Sequence, residues 1–503
     1  MKVQMFSNRY FICIAVIALT FLVYGNTFLN HWTYDDYPVI VENPDAQSLS
    51  GFMENHYPTR PFRELTYIVD YKLFGDNPSG YHLQQILWHA GNGFLLFLVL
   101  QLVGIDLIPA LLGVAFFIVH PMQSESVANL SHRKELLPLF FGMLALLSYT
   151  RAAVSGSWKK VALLVASGIL YVFVLLSNIT AITLPAMIVL YEYFFIKEED
   201  RLLIRRPYTL KIVIAIVVVI SVFYFVDFSA YDIASYRENL GTLYVQNGFF
   251  DTDKYFPYVA ALFKVFAIYI FKIIVPVGLA PEYSVQFSES LFQWRAWMGV
   301  AILCTGVFVF IKTRKRLPVA AFGLGWFMIF FLPLSNIYPS AYIMADRYLY
   351  ISLAGISFCL AAVLQKFNSK YYIAGFCAVL IVFAVLTVTQ NGYWKNDYIL
   401  SKHAVRVNPD SSGANWIRVH SAMSKQEYEV AKVHLEKILK INRFLVNAYL
   451  DLAKVEEKLG NLNAALSHYE YFARYGMMSG NLQDVARVQA YLPVLRAKIM
   501  NRN

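Results

Sequence analysis

Two adjacent carboxylates occur in the segment HWTYDDYPVIVENP, where Asp35 and Asp36 follow the first apolar stretch. Neighbouring carboxylates repel each other, so one of them titrates at a higher pH and is suited to act as a general base. The same pair is also suited to bind a divalent ion through its oxygens. A bare acidic pair at a helix end is more often a solvated loop, so the surrounding residues must decide between these interpretations.

Charged residues of three further segments are predicted to lie on the same side of the membrane. The first segment is TRPFREL, in the first loop. The second comprises HPMQSES and SHRKELL, which follow the third apolar run, and the third is IMADRYLY, which lies between two later runs. Charges at the edge of a membrane bundle are costly unless they are paired or functional. Their convergence predicts a site for an anionic, lipid-linked substrate, and the alternative is a network that only holds loops together. The residues are Arg60, His120, Glu125, His132, Arg133, Glu135, Asp346 and Arg347.

The composition excludes a single water-soluble globule. Of 503 residues, 58% are hydrophobic and only 15% are charged, whereas soluble domains have about 25% charged residues. The mean hydropathy is +0.48. The net charge of +10 lies in short basic clusters between apolar runs and in the C-terminal tail. This pattern favours orientation in a bilayer over binding of nucleic acid, and it predicts an all-α, polytopic membrane protein.

The apolar runs predict about eleven transmembrane helices, since a bilayer core about 30 Å thick needs roughly 20 apolar residues per helix. The run at 256–278 contains Lys264 and Lys272, and a lysine near the bilayer centre is costly. We therefore expect this segment to lie at the interface or to re-enter. The runs are 10–29, 83–103, 107–121, 135–151, 161–178, 180–195, 210–227, 256–278, 295–311, 318–335, 348–365 and 372–390.

The loops differ in charge, and this difference predicts the topology. The loop at 31–82 is rich in Asp and Glu and is expected outside the cytoplasm, as the first extracytoplasmic loop of a transmembrane domain that spans 1–391. The C-terminal segment is then extracytoplasmic as well. Four loops rich in Lys and Arg are expected in the cytoplasm by the positive-inside rule. They lie at 151–160, 197–206, 312–316 and 366–370.

Residues 392–503 are predicted to form a separate tetratricopeptide-repeat domain. A shift of 34 residues, which is the period of this repeat, aligns Asn408 with Asn442, Ala414 with Ala448 and Ala431 with Ala465. Short repeat arrays expose hydrophobic faces unless a neighbour covers them. The domain is therefore expected to bind a polypeptide or a protein partner near the site, or to act as a spacer or dimerisation element.

Five blocks, in this order, resemble the transmembrane and tetratricopeptide-repeat-containing O-mannosyltransferases of the glycosyltransferase C superfamily. They read YDDYPVIVENPD, RPFRELTYIVDYKLFGDNPSGYHLQQILWHA, HPMQSESVANLSHRKELL, LLSNITAITLPAMIVLYEY and SNIYPSAYIMADRYLY. The resemblance covers nearly the whole chain from about Phe28. It implies an inverting enzyme that moves a sugar such as mannose from a polyprenyl-phosphate donor to a protein Ser or Thr hydroxyl on the extracytoplasmic side.

The resemblance and the charges together assign roles to the residues. Asp35 is the first choice for the general base, and Asp36 orients it, raises its pKa or helps to hold a metal. Cationic groups stabilise the departing lipid phosphate. Arg347 and Arg133 are the first candidates for this role, and Lys264 and Lys272 come next. Arg60, His120, Glu125, Glu135 and Asp346 are expected to support the site. No cofactor beyond the lipid-linked donor is certain, and the metal requirement is open.

One block departs from the family pattern, because the usual Ser-Lys-Glu is Ser177, Asn178 and Ile179 here. A charged pair is therefore absent at the end of the fifth span. Two other functions remain open. One is a transferase that acts on a cell-envelope glycan or lipid, and the other is a non-catalytic membrane scaffold built around the repeats. The bacterial inner membrane, with the repeats in the periplasm, is the expected location, and the endoplasmic reticulum membrane is the alternative.

Overall fold

The computed structural model describes residues 2–55, 60–203, 255–285, 293–337, 342–367, 369–476 and 482–501. Within these ranges the chain is helical and contains no strand, which confirms the all-α prediction. The α-helices are Lys2–Tyr24, Pro44–Gln47, Leu49–Glu54, Pro61–Phe74, Pro78–Leu102, Leu107–Val119, Ser124–Ala128, Arg133–Ala153, Ser157–Ser177, Leu184–Phe195, Tyr255–Ile274, Trp294–Thr313, Pro318–Phe331, Tyr350–Lys366, Lys370–Tyr393, Asp397–Val407, Ser412–Ser424, Tyr428–Ile441, Val446–Lys458, Leu462–Tyr475 and Leu482–Met500.

Short helical turns connect these helices. A single π-helical turn covers Tyr37–Val41 directly after the acidic pair. The 3₁₀ turns are Gly25–Leu29, Pro121–Gln123, Leu130–His132, Ile179–Thr183, Glu198–Asp200, Leu332–Leu334 and Asp346–Leu349.

The protein is an integral membrane protein with several spans. In the described ranges, seven helices are long and apolar enough to cross a bilayer, and an eighth span results if Leu107–Val119 and Pro121–Ala128 are counted as one. The predicted span at 210–227 lies outside the described residues, so the total of about eleven stays a prediction. The seven helices are Tyr10–Leu29, Pro78–Leu102, Leu130–Ala153, Ser157–Ser177, Trp294–Thr313, Asp346–Lys366 and Lys370–Tyr393.

The bent pair has a local cause. Its two halves meet at 51°, and the break falls at His120, directly before Pro121. A residue that precedes proline is disfavoured in helical backbone geometry, and His120 is extended, with ψ of 125°. The bend turns the following segment, which carries Glu125, back towards the first loop.

The long helices approach closely where glycines face each other. A Cβ atom added to Gly323 would lie 2.4 Å from the carbonyl oxygen of Gly355, and one added to Gly355 would lie 2.5 Å from that of Gly323. Small residues at such crossings let membrane helices pack at short range. This contact fixes Pro318–Phe331 against Tyr350–Lys366, just beyond the turn that carries Asp346 and Arg347.

The C-terminal region consists of packed helix pairs where the repeats were predicted. Ser412–Ser424 packs on Tyr428–Ile441, and Val446–Lys458 packs on Leu462–Tyr475. The aligned alanines of the two copies are all fully buried, as expected where helices must approach closely: Ala414, Ala431, Ala448 and Ala465. Helix Lys370–Tyr393 ends and Asp397–Val407 begins near the predicted domain boundary. The division at residue 391 and the assignment as tetratricopeptide repeats stay predictions.

The C-terminal helices contact the first loop and a second connecting segment. The His31 amide donates to the Lys395 carbonyl at 2.9 Å, and the Tyr34 amide donates to Asp397 Oδ1 at 2.8 Å. Asn408 Nδ2 donates to the Glu282 carbonyl at 2.8 Å. The acidic pair therefore lies at the junction between the membrane helices and the C-terminal helices.

Candidate active site

Tyr34, directly before the two aspartates, has an unusual backbone conformation. Tyr34 has φ of +52°, a left-handed conformation that is uncommon for residues other than glycine. Such conformations persist only where the surroundings hold them. Here the amide of Tyr34 donates to Asp397, and its hydroxyl donates to Glu282. These contacts fix the turn from which Asp35 and Asp36 point in different directions.

Asp36 is a structural clamp. Its side chain is fully buried, and its two carboxylate oxygens accept from the Thr33 amide at 3.1 Å and from the Ser131 amide at 2.8 Å. Burial raises the pKa of Asp36 to about 8, although both amides act in the opposite direction. The carboxylate thus ties the first loop to the turn Leu130–His132 and is already occupied by protein donors.

Asp35 is the accessible member of the pair. Its side chain is 32% exposed, and its Oδ2 lies 3.8 Å from His132 Nε2. Burial acts to raise the pKa of Asp35, but His132, Arg347 and Lys134 outweigh it and hold this pKa below its ordinary value. Asp35 is therefore ionised at neutral pH and open to a substrate, as a proton acceptor must be.

Arg347 is an electrostatic neighbour of Asp35 and is held firmly. Its amide donates to Glu125 Oε2 at 2.8 Å, and its Nη1 donates to Glu125 Oε1 at 2.5 Å. Its guanidinium carbon lies 5.0 Å from the ring centre of Tyr342 and 5.3 Å from that of Tyr348. The structure thus brings together three residues predicted from the sequence, namely Asp35, Glu125 and Arg347.

Two further cations belong to this group. Lys134 has Arg60, Arg347 and Glu135 as electrostatic neighbours. Burial and the neighbouring Arg63 lower the pKa of Arg60. In the described part of the chain, no carboxylate lies within ion-pair distance of Lys134 or Arg60. Their charges are available to an anion, and we call Arg60, Lys134 and Arg347 the basic cluster.

Sequence reasoning missed Lys134. It stands between Arg133 and Glu135 in SHRKELL, and nothing in the sequence separates the three. A helical turn does so, because successive side chains on a helix point about 100° apart. The helix begins at Arg133, so only the direction in which each side chain leaves the first turn separates Lys134 from its two neighbours.

Arg133 lies away from the cavity and is fully engaged. It is completely buried, and its Nη2 is 2.6 Å from Asp70 Oδ2. Its Nε donates to Gln85 Oε1 at 3.0 Å, and its guanidinium faces the Tyr67 ring at 4.6 Å. These contacts hold helix Pro61–Phe74 against the bundle, so the geometry favours a structural role over phosphate binding.

Lys272 and Asp346 form a second charged group. Lys272 Nζ donates to the carbonyls of Val277 and Gly278 at 3.0 Å and 2.7 Å, which closes the turn after its helix. Asp346 accepts from the Tyr283 hydroxyl at 2.8 Å and from the Ala280 amide at 3.2 Å. Lys264 is buried, with Arg295 as an electrostatic neighbour. The contacts of Lys272 are those of a residue that shapes a loop.

The remaining supporting residues are buried in the helix bundle. His120 Nε2 is 2.9 Å from the Ile273 carbonyl, and the imidazole packs edge-on against Phe383. Glu135 accepts from Asn178 Nδ2 at 3.3 Å, so the residue that departs from the family pattern contacts the edge of the basic cluster. In the described ranges, no group of three His, Cys, Asp or Glu side chains is arranged to hold a metal ion.

A cavity of about 1200 Å³ opens on the other side of Asp35, between the first loop and the C-terminal helices. It exceeds the roughly 300–1,000 Å³ of most small-molecule pockets. Its carboxylates are Asp35, Glu42, Glu282 and Asp397, and no lysine or arginine is among the described residues that line it. Burial raises the pKa of Glu282 to about 7, against the hydrogen bond from Tyr34.

These features define a class: an all-α, polytopic membrane protein with an aspartate between a basic cluster and an acidic cavity that C-terminal helices cover. The chain is similar in sequence to proteins named protein O-mannosyl-transferases. Tmtc1 of Drosophila melanogaster is 33% identical over 33% of this chain and 21% of its own length. Human TMTC3 is 22% identical over 90% of this chain and 54% of its own. Mouse TMTC4 is 22% identical over 78% of this chain and 61% of its own length.

The comparisons confirm the family resemblance seen in the sequence blocks. Over most of its length, the chain is similar to the transmembrane and tetratricopeptide-repeat-containing protein O-mannosyltransferases. It spans about half the length of human TMTC3. No family model matches the sequence, and no solved structure matches it.

Proposed function

We propose that this protein is a membrane glycosyltransferase that moves a sugar from a polyprenyl-phosphate carrier to a hydroxyl group of a protein. The observation that carries the proposal is the position of Asp35. One side of it meets the basic cluster, where a lipid phosphate finds cations, and the other side faces the acidic cavity. Relatives named as protein O-mannosyl-transferases support the activity and suggest mannose as the sugar.

The residues divide the chemistry between them. The acceptor oxygen attacks the anomeric carbon, its proton passes to the Asp35 carboxylate, and the bond from that carbon to the phosphate oxygen breaks with inversion. A positioned carboxylate contributes about 10²- to 10⁴-fold to such a step. The electron pair stays on the lipid phosphate, whose growing charge is stabilised by Lys134, Arg60 and Arg347.

The positions of the other predicted residues give them supporting roles in this proposal. Glu125 orients Arg347, and Asp36 fixes the loop that presents Asp35. Lys272 and Asp346 shape the cavity wall through Tyr283, while Arg133 secures the helix that follows the first loop. The reaction takes place on the extracytoplasmic side, where the acidic loop was predicted. The sequence favours the periplasmic face of a bacterial membrane, and the animal origin of the relatives supports the alternative, the endoplasmic reticulum.

The test compares Asp35→Asn with Asp36→Asn in the purified full-length protein, with polyprenyl-phosphate-linked mannose and a Ser/Thr peptide. Asp35→Asn is expected to lower kcat about 10²- to 10⁴-fold and to leave donor binding and Tm unchanged. Asp36→Asn loses one acceptor for a backbone amide and is expected to destabilise the fold by about 1–3 kcal/mol. Full transfer activity in Asp35→Asn would refute Asp35 as the base, and no transfer by the wild-type protein to any acceptor would favour the scaffold. Transfer to glycans or lipids but to no peptide would favour the envelope-directed enzyme.

A further inference from the structure

The chemistry of the acidic cavity specifies what it binds. Apart from Asp35, its walls present the carboxylates of Glu42 and Asp397, together with Glu282, which keeps its proton up to a pH of about 7. Glu42 is exposed, and no ion pair to it occurs in the described part of the chain. Charge complementarity therefore selects a cationic ligand and disfavours an anionic one.

The aromatic lining supports the same choice. Tyr471 stacks on Tyr449 with ring centres 4.0 Å apart and contacts Tyr475 at 4.7 Å. Tyr471 and Tyr475 line the cavity, together with Trp416 and Phe444. The faces of such rings attract lysine and arginine side chains, with a preference for desolvated sites. Rings and carboxylates that line the same cavity thus suit a long, flexible cationic side chain.

Two buried serines show that the cavity has hydrogen-bonding groups to offer. Ser412 and Ser421 line it and are 6% and 3% exposed. Neither hydroxyl has a hydrogen-bond partner. Buried hydroxyls without partners are rare in native folds and call for an explanation. The amide and carbonyl groups of an extended peptide supply the missing partners when the cavity is filled.

We propose that this cavity binds an extended polypeptide segment with lysine or arginine beside the Ser or Thr to be glycosylated. The proposal rests on the proposed function and adds the charge of the acceptor to it. The peptide backbone meets Ser412 and Ser421, and its cations meet Glu42 and the tyrosine rings. Its hydroxyl reaches Asp35, which lies on the wall of the same cavity.

The experiment uses three synthetic peptides with one Thr flanked by Lys, Gln or Glu, and the full-length protein in nanodiscs. Peptide binding is measured by fluorescence anisotropy without donor, and transfer is measured by mass spectrometry with polyprenyl-phosphate-linked mannose. We expect the Lys peptide to bind and react about tenfold better than the Glu peptide. Equal binding and transfer for all three would overturn the inference but leave the proposed function intact. Preferential binding of the Lys peptide without transfer to any acceptor would instead count against the proposed function.

Variants locate the effect in the cavity. Glu42→Gln is expected to reduce the preference for the Lys peptide over the Gln peptide about threefold. The matched control is Glu436→Gln, an exposed glutamate of the C-terminal helices that is not part of the cavity lining. Ser421→Ala removes a buried hydroxyl without a partner, so Tm should stay equal or rise, while KM for every peptide increases. An unchanged preference in Glu42→Gln, or an unchanged KM in Ser421→Ala, would contradict the inference.

Discussion

Asp35 and Asp36 are adjacent in the sequence and differ in every property that matters for catalysis. Asp36 is buried and accepts two backbone amides, whereas Asp35 is partly exposed and faces a histidine and cations. The pair could be identified from the sequence, because two consecutive aspartates directly after an apolar span form a recognisable motif. The sequence does not tell which member is free, because that depends on the Ser131 amide, 95 residues away.

The raised pKa of Glu282, a residue that lines the same cavity as Asp35, predicts how stability depends on pH. This pKa is raised to about 7 from a reference of 4.5, so the folded state keeps a proton that the unfolded state releases. Stability from this site is therefore present below the reference pKa and is lost as the pH rises through about 7. We expect the Tm of Glu282→Gln, relative to wild type, to increase from about pH 5 to about pH 8, a range that contains the pKa of Glu282 in the folded state.

The measurement is thermal unfolding in detergent, with Glu436→Gln as the control for loss of an exposed carboxylate. The two Tm curves, for wild type and Glu282→Gln, should diverge with rising pH. Parallel curves across the whole range would show that Glu282 does not hold its proton in the folded protein.

At the scale of a single element, the first turn of helix Arg133–Ala153 separates a structural cation from one that we propose binds the donor phosphate. Arg133 points into the bundle and pairs with Asp70, and Lys134 joins the basic cluster. Loss of one partner from a fully buried ion pair costs about 3–5 kcal/mol. Arg133→Ala is therefore expected to lower Tm strongly, and Lys134→Ala to leave Tm nearly unchanged.

Transfer kinetics should rank the two variants in the opposite order to Tm, because Lys134→Ala is expected to be the more impaired in donor use. Lys134→Ala should lower kcat/KM for the lipid-linked donor about tenfold or more, with peptide binding unchanged. Arg133→Met with Asp70→Asn removes both charges and should recover part of the stability lost in Arg133→Ala. Normal donor kinetics in Lys134→Ala would remove this lysine from the phosphate site.

The elements themselves could largely be predicted from the sequence, and the reason is physical. Apolar runs such as 83–103 and 372–390 must be helices, because a bilayer satisfies no exposed backbone group. The 34-residue spacing of Ala414 and Ala448 likewise located the packed pairs. The wall formed by Glu282 could not be predicted, since a lone glutamate in an irregular connection carries no periodic pattern. Arg133 was expected at the phosphate because the sequence does not show Asp70 beside it.

At the scale of the whole molecule, Gly413 links the C-terminal helices to the loop that carries Asp35. A Cβ atom at this position would lie 2.7 Å from Glu282 Oε2, and Glu282 accepts the hydrogen bond from Tyr34. The Glu282 carboxylate would have to move, Tyr34 would lose a contact that holds its left-handed backbone, and Asp35 would shift with it. We expect Gly413→Ala to lower kcat about tenfold for all acceptor peptides, since a misplacement of about 1 Å costs up to about 10²-fold.

A double-mutant cycle identifies the route of this effect. If Gly413→Ala acts through the Glu282 side chain, then Glu282→Ala makes room for the added methyl group, and Gly413→Ala causes little further loss in that background. Strong non-additivity is the expected result, because the two residues are in contact. Gly168→Ala is the matched control, since a Cβ there meets nothing within 4 Å. Additive losses at positions 413 and 282 would mean that the C-terminal helices act on the site by another path, or only by holding the acceptor.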